Sequence, residues 1–97
     1  MKWKLSLRAQ ADLRRIGYHI ARDNPRAAAS WVRKLQERVR LAGRSPHLGR
    51  RVPELERNDI REAIVGSYRI IYLIRAKTVE ILTIFEGHHL LPDDLEL

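Results

Sequence analysis

The spacing of apolar residues changes once along this chain, and that change limits the possible folds more than any other feature. Between Ala9 and Ala42, apolar residues recur every three or four positions, which predicts amphipathic helices. From Ile60 onward they form runs rich in β-branched and aromatic residues, which predicts strands. The segment from Gly43 to Pro53 contains two glycines and two prolines and is therefore expected to be a loop.

A short strand and two helices are expected before that loop. Apolar and polar residues alternate from Lys2 to Ser6, which predicts a strand, and Ser6 can cap the helix that follows. Asp23-Asn24-Pro25 separates the helices, because proline disfavours helical geometry in the preceding residue and Asn24 is a good N-cap. So short a turn predicts an antiparallel two-helix hairpin. The stripes expected to be buried are Ala9, Leu13, Ile16, Gly17 and Ile20 in the first helix, and Ala28, Trp31, Val32, Leu35, Val39 and Ala42 in the second.

Three strands are expected after the loop, over Ile60–Val65, Tyr68–Ile74 and Val79–Phe85. The gaps between them have the length of hairpin turns, which predicts a three-stranded antiparallel meander. The middle run is apolar on both faces, so it is placed inside the sheet. The sequence therefore predicts an α+β fold in the order β-α-α-β-β-β, as a single domain over residues 1–97.

The charge of the chain is uneven. Residues 1–52 contain 14 basic and 3 acidic residues, whereas residues 53–97 contain 5 and 9, and the net charge is +7. A basic half of this strength indicates an acidic or polyanionic partner, either nucleic acid or an acidic protein segment.

Several classes of site and location are disfavoured by composition. The chain has no cysteine, which excludes disulfides, thiol catalysis and cysteine zinc sites. His19 and His47 have no partners at metal-ligand spacing, so no metal site and no cofactor are predicted. There is no apolar run of the length of a membrane span and no signal-peptide pattern at Met1, so we expect a cytoplasmic protein with no membrane partner.

Three segments of the chain resemble the RelE/ParE toxin superfamily, in order and in spacing. The first is the helical hairpin, with Ala11-Asp12-Leu13 and then Asp23-Asn24-Pro25, which looks closer to ParE-like members. The second is the most specific, and it consists of Gly49-Arg50-Arg51-Val52-Pro53-Glu54, Ile60-Arg61-Glu62 and Tyr68-Arg69-Ile70-Ile71-Tyr72. The third runs from Val79 to Ile84 and ends at Gly87-His88-His89.

This resemblance implies the toxin component of a type II toxin–antitoxin system, which acts in growth arrest and plasmid stabilisation. Such toxins form hetero-oligomers with a cognate antitoxin that neutralises them. ParE-like members inhibit DNA gyrase and are not enzymes, whereas RelE-like members cleave messenger RNA in the ribosome. We expect gyrase inhibition. The alternatives are a ribosome-dependent, metal-independent mRNA endonuclease and a basic binding module without toxicity.

The endonuclease alternative has defined candidate residues. Metal-free RNA cleavage needs a base, an acid and cations for the phosphate. The resemblance assigns the second-strand arginine of the RelE pattern to Arg69, whereas the lysine positions fall near Ile60 and Glu62 and the terminal tyrosine is missing. The C-terminal basic position corresponds to His88 or His89, of which at most one is expected to face Arg69, because adjacent residues of an extended chain point to opposite sides. The candidate nuclease residues are Arg61, Glu62, Arg69, His88 and His89.

Antitoxin binding is expected to use the basic second helix and the sheet. Exposed ion pairs are individually weak, so the arginines should mainly steer an acidic antitoxin segment. The apolar sheet face should supply most of the affinity, through strand addition or docking of a helix in a groove. The candidate residues are Arg33, Arg38 and Arg40 of the second helix and Arg61, Arg69 and Tyr72 of the sheet.

Overall fold

The structure, a computed structural model, describes all 97 residues and consists of two helices packed on one five-stranded sheet. The sheet order is β1-β5-β4-β3-β2, and a short 3-10 helix, Pro46–Leu48, precedes β2. The elements are β1 (Lys2–Leu5), α1 (Leu7–Ala21), α2 (Pro25–Arg44), β2 (Arg50–Arg51), β3 (Ile60–Val65), β4 (Tyr68–Ile74) and β5 (Thr78–Glu86).

The predicted helix starts are confirmed at the level of hydrogen bonds. The Ser6 hydroxyl accepts from the Ala9 backbone N–H at 3.0 Å, and the Asn24 side chain accepts from the Ala27 N–H at 3.1 Å. Helix α2 continues through Gly43 to Arg44, two residues into the expected loop. Neither helix has the length and apolarity that a membrane-spanning helix needs.

The α+β fold is confirmed, and the sheet is larger than the predicted meander. Strands β3, β4 and β5 are antiparallel neighbours with β4 at the centre, as expected. Strand β1 joins β5 in parallel, with Lys2 opposite Thr78, so the sheet is mixed. The predicted loop also contains β2, which pairs Arg50 with Glu62 of β3. A strand of two residues is too short for alternation to reveal it.

Both faces of the sheet are largely covered by the chain itself, although Ile64 of β3 remains 49% exposed. The helices bury one face around Leu35, Val39 and Tyr72. The opposite face, called the back face below, is centred on Ile71 and Leu73. It is covered from the loop after β2 by Leu55 and from the C-terminal tail (residues 90–97) by Leu91 and Leu95.

Candidate functional site

The predicted site residues Glu62 and Arg69 meet in an ion cluster; these two are buried, and Glu54 and Arg50 join them from the surface. Arg69 donates from Nε to Glu62 at 2.6 Å and from its two terminal nitrogens to Glu54 at 3.0 and 2.8 Å. Arg50 donates from Nε to the other oxygen of Glu62, also at 2.6 Å. Only 9% of the Arg69 side chain and none of the Glu62 side chain is exposed. Each oxygen of Glu62 therefore has an arginine donor.

The strand register explains why these groups meet. Glu62 of β3 lies opposite Ile71, and Arg69 of β4 lies opposite Ile64, so Glu62 and Arg69 are diagonal neighbours on one face. Arg50 of β2 lies directly opposite Glu62. Glu54 comes from the loop after β2, where it also accepts from the Leu91 backbone N–H at 3.0 Å. The cluster therefore fastens both the loop and the tail to the sheet.

Two groups of the cluster, Glu54 and Arg69, have pKa values shifted in favour of their charged forms. Hydrogen bonds from Arg69 lower the pKa of Glu54 from 4.5 to about 2. Hydrogen bonds to Glu54, and then to Glu62, raise the pKa of Arg69 above its usual value. At neutral pH Glu54 is thus a poor proton acceptor, and the charge of Arg69 is balanced by carboxylates within hydrogen-bond distance.

Arg61, Tyr72 and Arg38 come together at the start of β2. Tyr72 is fully buried; its hydroxyl donates to the Pro46 carbonyl at 2.6 Å and accepts from the Gly49 N–H at 3.1 Å. Arg61 donates to the Gly49 carbonyl at 3.3 Å. Burial raises the pKa of Tyr72, against an opposing contribution from the nearby positive charge of Arg38. Tyr72 thus holds the backbone before β2 in place from the protein interior, whereas Arg38 and Arg61 are partly exposed.

Arg33 and Arg40 belong to a row of exposed arginines on α2. At about 100° per residue, four arginines fall within about 40° of one another on the side of α2 opposite its buried residues. None of them forms an ion pair, whereas Arg8 and Arg15 of α1 and Arg50 of β2 each bind a carboxylate. We call this row the α2 arginine stripe: Arg26, Arg33, Arg40 and Arg44.

His88 and His89 lie on the same side of the chain, contrary to the expectation that they point apart. Their ring centroids are 4.2 Å apart, and His88 Nδ1 lies 3.3 Å from a carboxylate oxygen of Glu86. The reason is that β5 ends at Glu86 and the next residues form a turn instead of an extended strand. His88 lines a cleft of about 510 Å³ with Arg69, and His89 lines a separate cavity of about 230 Å³ with His19.

Residues 3–90 match the sequence profile of a family described as "ParE toxin of type II toxin-antitoxin system, parDE". The chain belongs to this family. A solved structure described as "Chromosomal ParDE TA system from P. aeruginosa" has a TM-score of 0.74 and 24% identity, over 89% of this chain and 95% of that chain. At this identity the likeness shows a shared fold. No curated protein matches the sequence significantly.

One residue of this ParE-family toxin, Asp12 of α1, was not predicted to be structurally important. It is 4% exposed and accepts from the Thr83 hydroxyl at 2.5 Å and the Ile84 backbone N–H at 3.0 Å. Arg15 covers it from outside at 2.7 Å. Its helical spacing from Ala9 and Ile16 places it on the buried stripe of α1. An acidic residue at such a position is rarely buried without a partner, and this could have identified Asp12 from the sequence.

Proposed function

We propose that this ParE-family toxin arrests growth by binding DNA gyrase, that it does not cleave RNA, and that a cognate antitoxin neutralises it. The observation that carries the proposal is the hydrogen bonding of Arg69, the residue assigned to the second-strand arginine of the RelE pattern. Each of its three guanidinium nitrogens donates to Glu54 or Glu62. A phosphate that took their place would leave Glu62 buried beside one arginine instead of two, and removal of a partner from a buried pair costs several kcal/mol.

Antitoxin binding is supported by charge and by open surface. The α2 arginine stripe has no acidic partner within the chain. Strands β1 and β2 are the two edges of the sheet, so each has one unpaired side. Because both sheet faces are largely covered, we place the apolar contact elsewhere. A groove of about 320 Å³ between the helices is lined by Leu5, Leu13 and Val32. An acidic, amphipathic antitoxin helix fits this combination of groove and arginines.

The gyrase proposal is tested with purified protein in a plasmid supercoiling assay. We expect loss of gyrase supercoiling at toxin concentrations that leave relaxation of the same plasmid by topoisomerase I unchanged. That second enzyme is the control for non-specific DNA coating, which a protein of charge +7 can cause. Ribosome-bound mRNA incubated with the same protein should remain intact. Equal inhibition of both enzymes, or no inhibition of either, would contradict the proposal.

The endonuclease alternative keeps one observation in its favour, since His88 and Arg69 line the same cleft. It predicts cleaved transcripts with the wild-type protein and their disappearance with His88→Ala. The basic binding module predicts neither effect, together with normal growth of cells that express the chain without an antitoxin.

A further inference from the structure

The turn after β5 brings together three side chains of the kind that bind transition metals. Glu86, His88 and His89 each have a ligand atom within 4.8 Å of the other two. Imidazole nitrogens with one carboxylate oxygen form a donor set suited to zinc. From the geometry of this turn, we propose that Glu86, His88 and His89 bind one zinc ion, or a related divalent transition metal, with a fourth position open to water.

The distances favour a compact site. With metal–ligand bonds of about 2.0–2.1 Å, tetrahedral ligand atoms lie about 3.3 Å from one another. His88 Nδ1 and Glu86 Oε2 are 3.3 Å apart. The rings of His88 and His89 are 4.2 Å apart with an interplanar angle of 36°, so small rotations bring a second nitrogen into range.

The surroundings of the turn are compatible with a cation. The imidazoles of His88 and His89 are both exposed, so a metal can reach them without disturbing the core. Arg15, which lines the same cavity as Glu86 and His89, has its charge balanced by Asp12 at 2.7 Å. The His89 N–H donates to the Glu86 carbonyl at 3.0 Å, which holds the turn in place before any metal arrives.

A metal here would link the end of β5 to the turn that leads into the C-terminal tail. Binding to the folded state alone raises stability by mass action. Zinc should therefore raise the melting temperature, and the rise should depend on both histidines.

The test uses tag-free protein stripped with a chelator and titrated with zinc chloride by isothermal calorimetry at neutral pH. We expect one equivalent of zinc per chain and at least about tenfold weaker binding for His88→Ala, His89→Ala and Glu86→Gln. His47→Ala, on the exposed 3-10 helix, is the matched control and should bind like wild type. Magnesium should not compete, because it prefers oxygen ligands.

Circular dichroism of each variant shows whether it is folded, and the exposure of both histidines makes loss of the fold unexpected. If the wild type binds no zinc, the three side chains are only close neighbours at the surface, and the proposal is overturned. Unchanged affinity in both His88→Ala and His89→Ala would overturn it equally. None of these outcomes bears on gyrase inhibition, which the supercoiling assay measures separately.

Discussion

At the scale of single residues, the ion cluster around Glu62 and Arg69 is the feature whose energetics can be tested most sharply. Glu62 has no exposed side-chain surface, and Arg69 supplies one of its two charge partners. A buried charge is costly when a partner is removed, whereas replacement of a whole pair by apolar groups is often nearly neutral. We therefore expect loss of Arg69 alone to cost more stability than replacement of Arg69 and Glu62 together by apolar residues.

We expect Arg69→Ala to lower the free energy of unfolding by about 3–5 kcal/mol, measured by urea denaturation. The double variant Arg69→Met, Glu62→Leu should recover most of that loss, because no buried charge is left unpaired. Arg57→Ala, which breaks a largely exposed pair with Asp59, is the control and should have only a small effect. A double variant no more stable than Arg69→Ala would contradict this account.

The lowered pKa of Glu54 predicts how the stability of the protein changes in acid. Its pKa is about 2 in the folded protein and 4.5 ordinarily, so the folded state favours the charged form. That contribution to stability is present above about pH 4.5 and is lost as the pH falls from 4.5 towards 2. Urea denaturation across this range should show a shallower decline for Glu54→Gln than for wild type. Glu96→Gln, at an exposed residue without an ion pair, should follow the wild-type curve.

At the scale of elements, the sequence predicted the parts whose signal is local. The helices begin at the expected caps, Ser6 and Asn24, because capping depends on residues a few positions apart. Strand β2 was missed because Arg50 and Arg51 are paired by a distant strand and have no pattern of their own. The parallel pairing of β1 with β5 was missed for the same reason, since it joins Lys2 to Thr78.

The C-terminal tail contains no helix or strand, yet it covers part of the back face. Leu91 and Leu95 are half-buried against that cluster. Leu91→Ala and Leu95→Ala should each lower the free energy of unfolding by about 1–2 kcal/mol, and together they should increase binding of a hydrophobic dye. Leu90→Ala, at a residue 84% exposed, is the matched control. Equal effects at Leu90 and Leu91 would show that the tail does not contribute packing.

At the scale of the whole molecule, the candidate site was only partly predictable. The family segment placed Glu62 and Arg69 among the candidate nuclease residues, and the structure brings their side chains into contact. Glu54, which also binds Arg69, comes from a loop with no regular sequence pattern. Tyr72 was expected to bind a partner, and the structure places it in the interior. The spacing of residues in a strand predicts which face of the sheet a side chain lies on. It does not predict which other parts of the chain cover that face.

The charge distribution of the whole molecule gives the last prediction, which concerns the rate of antitoxin binding. The α2 arginine stripe is exposed and unpaired, so it should accelerate encounter with an acidic partner more than it strengthens the final complex. In surface plasmon resonance with the cognate antitoxin, we expect Arg33→Glu, Arg40→Glu to reduce the association rate constant by about tenfold at low salt, with little change in dissociation. Added salt should shrink the difference, because it screens exposed charges. Arg22→Glu, Lys77→Glu changes the net charge equally outside α2 and outside the groove between the helices, and its smaller effect would locate the steering on α2. An association rate unchanged by reversal at Arg33 and Arg40 would exclude the stripe as the steering surface.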